Sequence, residues 1–176
     1  MAIKVAIDNN VLGYLGETEI TIKKSVKSLE KQQKELMNLK YAYAFATLVC
    51  SNPRIKGVIP LLVSYEFRNA PIYVKKRVLE QWADCFYWSN NITIYKKARS
   101  LKIPPTLQHI KSSDIKIVYE ASKLGCRYLV TFNKKDLRKQ KNKNLIKSEF
   151  KRKFKITPPE ILTPCEFINL LYLPKN

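Results

Sequence analysis

A chain of 176 residues with 33 Lys and Arg against 14 Asp and Glu carries a formal charge of +19. Its 45% hydrophobic content supplies one continuous core and excludes a disordered polycation, and its longest apolar run, the ten residues "YAYAFATLVC", is too short to span a bilayer. Such a charge excess predicts a polyanionic partner, nucleic acid first, with an anionic membrane surface or an acidic protein fitting the same number.

Cys50, Cys85, Cys126 and Cys165 are isolated, and His109 is the single histidine. No ligand cluster of zinc-site spacing exists, so the four cysteines read as free, buried thiols of a reducing cytosol. "MAIKVAIDNN" meets an acid after only a few apolar residues, unlike a secretory leader. The expectation is a soluble, cytoplasmic protein with one domain over residues 1–176.

In chain order, "AIKVAI" (2–7) predicts a buried strand ending at Asp8, and residues 9–15 turn into a short helix. Ile22, Val26, Leu29, Leu36, Leu39 and Tyr43 recur at helical spacing, predicting one long amphipathic helix or two between residues 20 and 50. "SNPRIKG" breaks it. "VIPLLVSYEFRN" reads as a strand followed by a helix bearing Ser64 and Glu66, and Pro71 opens a helix with Val74, Val78, Trp82 and Phe86 on one face. "NITIYK" predicts a strand and "KIPPTLQHI" a loop. "SSDIKIVYEASKLG" predicts a helix capped by Ser112 or Ser113 and ended by Gly125, leading into a buried strand, "CRYLVTF". Residues 134–155 then hold eleven basic side chains, among them Lys134, Lys135, Arg138, Lys139 and Arg152, either as a solvated loop or as a phosphate-binding flap. "FKITPPEIL" is the last strand. Thr163, Pro164 and Glu166 form a capping box on the helix "TPCEFINLLYL". Strands alternating with helices predict an α/β fold with a mainly parallel sheet.

Asp8 and Asp136 follow strands, and Asp114 opens a helix that runs back along the sheet. In open α/β sheets ligands bind at the carboxyl ends of the strands, where these acids can meet. Each has a plainer reading: Asp8 as an N-cap, Asp114 as a dipole partner, Asp136 as a turn residue, Glu66 as a surface acid. Carboxylates brought together repel, and a hard cation such as Mg²⁺ or Mn²⁺ compensates them. An acidic metal cluster on a basic protein points to phosphodiester chemistry.

These stretches resemble a PIN-domain ribonuclease, most closely of the VapC-like toxin type. "VAIDNNVLGYL" is similar to the family's opening strand, with Asn9 standing where a hydroxyl residue is usual. "LLVSYEFRN" places Glu66 on the family's glutamate, and "SSDIKIVYEASKLGCRYLVTFNKKDL" is similar to its Asp, helix, strand and Thr-x-Asn-x-x-Asp, with Asn133 where other members carry an aspartate. "KITPPEILTPCEFINLL" resembles its final strand and helix. The likeness runs over nearly the whole chain, with a longer span between Asp8 and Glu66 and a longer basic segment than usual.

The resemblance implies a three-layer sandwich with a central parallel sheet. It implies a metal-dependent endoribonuclease leaving 5′-phosphate and 3′-hydroxyl ends, of the kind that serves as the toxin of a toxin–antitoxin pair. Asp8, Glu66, Asp114 and Asp136 would be catalytic, with Mg²⁺ or Mn²⁺ on Asp8, Asp114 and Asp136, and Asn10, Thr131 and Asn133 would hold the carboxylates. Partners would be RNA, an antitoxin and a second copy of the chain. A catalytically silent binding module and a DNA substrate are the alternatives. Tyr14, Tyr65, Trp88 and Phe132 are candidates for base stacking, against the commoner role of core aromatics.

Overall fold

A computed structural model of the chain describes residues 2–172. Five strands, β1 (Ile3–Ile7), β2 (Ile55–Ile59), β3 (Phe86–Trp88), β4 (Tyr128–Val130) and β5 (Glu160–Leu162), form one all-parallel sheet in the order β3-β2-β1-β4-β5. Helices flank it: α1 (Asn9–Gly16), α2 (Glu19–Ser25), α3 (Leu29–Ser51), α4 (Leu61–Phe67), α5 (Ile72–Trp82), α6 (Ile92–Arg99), α7 (Ser112–Lys123), α8 (Gln140–Glu149) and α9 (Pro164–Tyr172). The fold is the three-layer α/β sandwich expected. Val5, Ala6 and Ile7 of the central strand are all fully buried, as a parallel sheet covered on both faces requires.

The register aligns Phe86, Gly57, Val5 and Tyr128 in one row across four strands. Phe167 of α9 meets Tyr128 edge-to-face and Phe45 of α3 likewise, so α3 and α9 cover that face. Gly57 permits the approach: a Cβ there would lie 2.9 Å from Val49 Cγ1 of α3 and 2.8 Å from Phe86 Cδ1. At the chain's end Thr163 N donates to Glu166 Oε2 (2.6 Å) and Glu166 N to Thr163 Oγ1 (3.0 Å), the predicted capping box. Leu173 of that predicted helix lies outside the described residues.

Several expectations are corrected. Residues 91–96 are not a strand but the start of α6: Asn91 Oδ1 accepts from Ile94 N (3.0 Å), and Tyr95 and Ala98 are buried at helical spacing. The edge strand is Phe86–Trp88, with Phe86 leaving the helical face assigned to it. Of the two alternatives for the long amphipathic stretch, two helices is the outcome, broken at residues 26–28, where Gln32 Nε2 turns back to the Val26 carbonyl. Helix α7 starts at Ser112 with Lys111 in the cap position and no side-chain cap. The basic segment is only partly a loop: Lys134–Lys139 form a turn, and from Gln140 it continues as α8 and a π-helical turn, Phe150–Phe154, anchored by buried Ile146 and Phe150. Cys50 and Cys85 form a disulfide tying the end of α3 to the entry of β3, so only Cys126 and Cys165 are free thiols. No helix among the described residues is long and apolar enough to cross a membrane.

Candidate functional site

The chain runs outward from β1 through β2 to β3, then returns to the other side of β1 for β4 and β5. The strand order therefore switches between β1 and β4, and the crevice beyond their carboxyl ends is where such sheets bind ligands. Asp8 follows β1 directly and Thr131 follows β4. The sheet brings them together across Asp8 N–H donating to the Val130 carbonyl (3.1 Å).

Asp8 is 5% exposed and its carboxylate is held from three directions. Its Oδ1 accepts from Asn9 N (2.7 Å), making it the N-cap of α1. Its Oδ2 accepts from Asn10 Nδ2 (2.8 Å) and from Thr131 Oγ1 (2.6 Å). Asn10 Oδ1 accepts from Phe132 N (2.9 Å), and Thr131 Oγ1 accepts from Asn133 N (2.9 Å). Asn133 Nδ2 in turn donates to Asp114 Oδ2 (2.7 Å), while its Oδ1 accepts from Asp136 N (3.1 Å). Asn10, Thr131 and Asn133 thus link Asp8, Asp114 and the Asp136 turn into one network.

Burial dominates the electrostatics. It raises the Asp8 carboxyl above the ordinary range, opposed by the hydrogen bonds from Thr131, Asn9 and Asn10. Burial and the charge of Asp8 raise Asp114 to about 6, with Asp136 adding to the rise and Asn133 and Lys111 opposing it. Glu66, half-buried on α4, is raised by burial and then by Asp8. Asp8 therefore acts as a neighbouring negative charge on Glu66 and Asp114, and Asp136 on Asp114. The carboxylate of Asp136 makes no hydrogen bond among the described residues.

Two participants carry no sequence signal. Lys111 is an exposed lysine whose charge opposes the rise at Asp8, Glu66 and Asp114. Only its place just ahead of Asp114 hinted at it. Glu120, fully buried on α7, accepts from Leu61 N (2.7 Å) and Leu62 N (3.0 Å) at the start of α4. It clamps the helix that carries Glu66 onto the helix that carries Asp114.

Carboxylates are the ligand type of a hard divalent cation, and those of Asp8, Glu66 and Asp114 are raised by burial beyond what the neighbouring amides, hydroxyls and Lys111 offset. The spacing is open, however. Among the described residues no three acids, histidines or cysteines stand close enough as placed to hold one ion.

Of the basic residues assigned to nucleic acid, Lys134, Lys135 and Lys139 are exposed. Arg138 is largely covered and lies 3.8 Å from Glu166, and Arg152 forks onto Glu149 (2.8 and 3.1 Å). Tyr14 and Phe132 pack edge-to-face beside Asp8's loop, Trp88 packs on Phe67, and Tyr65, next to Glu66, is exposed and stacked on Tyr95 with centroids 4.9 Å apart. A scan against protein-family models finds no match to the chain, and a search of curated proteins finds none either.

Proposed function

We propose that the protein is a metal-dependent endoribonuclease of the PIN type. The observation that carries this reading is the set of carboxylates around Asp8 at the sheet's switch point, its charge raising Glu66 and Asp114 and that of Asp136 adding to the rise at Asp114, on a chain of charge +19. Asp8, Asp114 and Asp136 would hold Mg²⁺ or Mn²⁺, drawn in from their open spacing. The ion would supply Lewis acidity toward a phosphodiester and a readily deprotonated water.

The chain's own residues do the rest. Thr131, Asn10 and Asn133 fix the carboxylate planes of Asp8 and Asp114. Glu66, with a pKa raised by burial and by Asp8 and the Ser113 hydroxyl beside it, is suited to take a proton from an attacking water at its carboxylate. Lys111 offers positive charge to a phosphate oxygen at the mouth of the group. The exposed lysines 134, 135 and 139 supply sequence-independent attraction to the strand.

The open spacing of the acids favours a second reading, a fold that binds RNA without cutting it. One experiment separates the two: incubation of a mixed RNA pool, and matched single-stranded DNA, with Mg²⁺, Mn²⁺ or EDTA, alongside Asp8→Asn and Asp114→Asn. Metal-dependent cutting that both substitutions abolish is expected. RNA binding without cutting, or undiminished cutting by the variants, overturns the nuclease reading. Toxin activity, an antitoxin and self-association extend the proposal; growth arrest on expression, relieved by a co-expressed neighbouring gene product, tests the first two.

A further inference from the structure

Beside the acids lies a cavity of about 460 Å³, lined by Gln108, His109, Lys111, Ser112, Lys135 and Asp136. That volume is of the order that admits one nucleotide. The cavity shares Asp136 with the acidic group, and Lys111 sits on both, since its charge acts on Asp8, Glu66 and Asp114.

Its two walls are built rather than incidental. Asn142 of α8, 5% exposed, donates from Nδ2 to the Asp136 carbonyl (2.5 Å), and its Oδ1 lies 3.1 Å from His109 Nε2. A carbonyl only accepts, so Nδ2 must face it and Oδ1 must accept from His109, which places a proton on Nε2. One buried amide therefore spaces the 102–111 loop from the Asp136 turn. Lys111 of the loop and Lys135 of the turn both line the cavity.

We propose that this cavity is a phosphate subsite for single-stranded nucleic acid, seating the phosphodiester adjacent to the one at the acids between Lys111 and Lys135. The inference rests on the nuclease reading for what lies next door. It moves the main phosphate contact away from Arg138 and Arg152, whose guanidinium groups are engaged by Glu166 and Glu149, to a recess the strand enters. A recess reached between two loops takes an unpaired strand, whose bases and phosphates can splay apart, and turns away a duplex.

The test is binding of a fluorescently labelled single-stranded RNA, read by anisotropy in EDTA across a salt series. Lys111→Gln and Lys135→Gln are compared with the wild type and with Lys56→Gln, which lies near the amino end of β2, away from the site. Each of the first two substitutions is expected to weaken binding several-fold and to lower the salt slope by about 0.7, the value of one single-strand phosphate. Lys56→Gln and binding of the matched duplex should be nearly unchanged by comparison. Equal losses for all three variants, or equal losses on duplex, overturn the proposal. So does binding of an acidic peptide with this lysine dependence where RNA lacks it. The readout needs no cleavage, so a protein that never cuts RNA still passes or fails it, and a failure here leaves the nuclease test untouched.

Discussion

Thr131 Oγ1 donates to Asp8 Oδ2 at 2.6 Å across a separation of 123 residues, closing the carboxyl end of β4 onto that of β1. Thr131 is fully buried, and its hydroxyl also accepts from Asn133 N. Its Oγ1 also accepts from Asn10 Nδ2 (3.1 Å), and Thr131→Val keeps the shape while removing all three bonds. It should cost about 1–3 kcal/mol, because the buried Asp8 carboxylate and the partly buried Asn133 N–H each lose a partner. Urea unfolding at neutral pH measures it. A stability equal to wild type would show that the network is slack.

Asp114 links stability to pH in a definite direction. Its carboxyl titrates at about 6 in the folded chain against an ordinary 3.8. Between those values the folded chain holds a proton that the unfolded chain has released, so stability falls as pH rises through that window and stays lowered above it. Asp114→Asn removes the burden while keeping an acceptor for Asn133. The variant should exceed wild type by about 1–3 kcal/mol at roughly neutral pH and match it at about pH 3.5. Thermal unfolding at both pH values checks this, and cleavage should be lost throughout.

The same carboxyl must ionise to hold a cation. Apparent Mn²⁺ affinity should fall about tenfold per pH unit below roughly pH 6 and level off above it. Titration calorimetry across that range gives the answer. An affinity that stays flat through the range removes Asp114 from the ligand set.

On the nuclease reading, Glu120 is a positioning residue. Glu120→Gln sets an amide N–H₂ against Leu61 N or Leu62 N, leaving one buried donor without an acceptor, at a cost of about 1–3 kcal/mol. Freed from its clamp, α4 carries Glu66 out of register with Asp114. The turnover number should fall while KM changes little, whereas a general loss of folded protein would lower only the active fraction. Active-site titration alongside kinetics distinguishes these outcomes.

Gly16 marks where α1 crosses α5. A Cβ there would lie 2.4 Å from Val74 Cγ1, 2.7 Å from its carbonyl oxygen and 2.8 Å from its Cα. Backbone cannot yield as a side chain can, so Gly16→Ala should destabilise by about 1–3 kcal/mol. Gly13→Ala, with open space at its Cβ, is the control and should be neutral or slightly stabilising.

Local chemistry made much of this molecule legible in one dimension. The β-branched run ending at Asp8, the capping box at Thr163 and Glu166, and Gly125 at φ 73° after α7 each report a backbone requirement met by near neighbours. The alternation of strands and helices was enough to place Asp8 and Asp136 at strand ends, and so on one edge of a parallel sheet. Where a short segment's pattern fitted two structures, local reading failed. "NITIYK" alternates like a strand, yet Tyr95 and Ala98 bury at helical spacing because a neighbouring layer awaits them.

What the sequence by itself determined is the α/β class, the charge, and the strand-end positions of Asp8 and Asp136. Only the tertiary structure decided the strand order that puts β4 beside β1, and with it the Thr131–Asp8 bond. It alone paired Cys50 with Cys85, set Glu120 under α4, and brought Lys111 beside Asp8 and Glu66. Periodicity and capping are signals between residues a few positions apart. Each of these partners is separated by dozens of residues, and their meeting depends on how all the buried faces pack together at once.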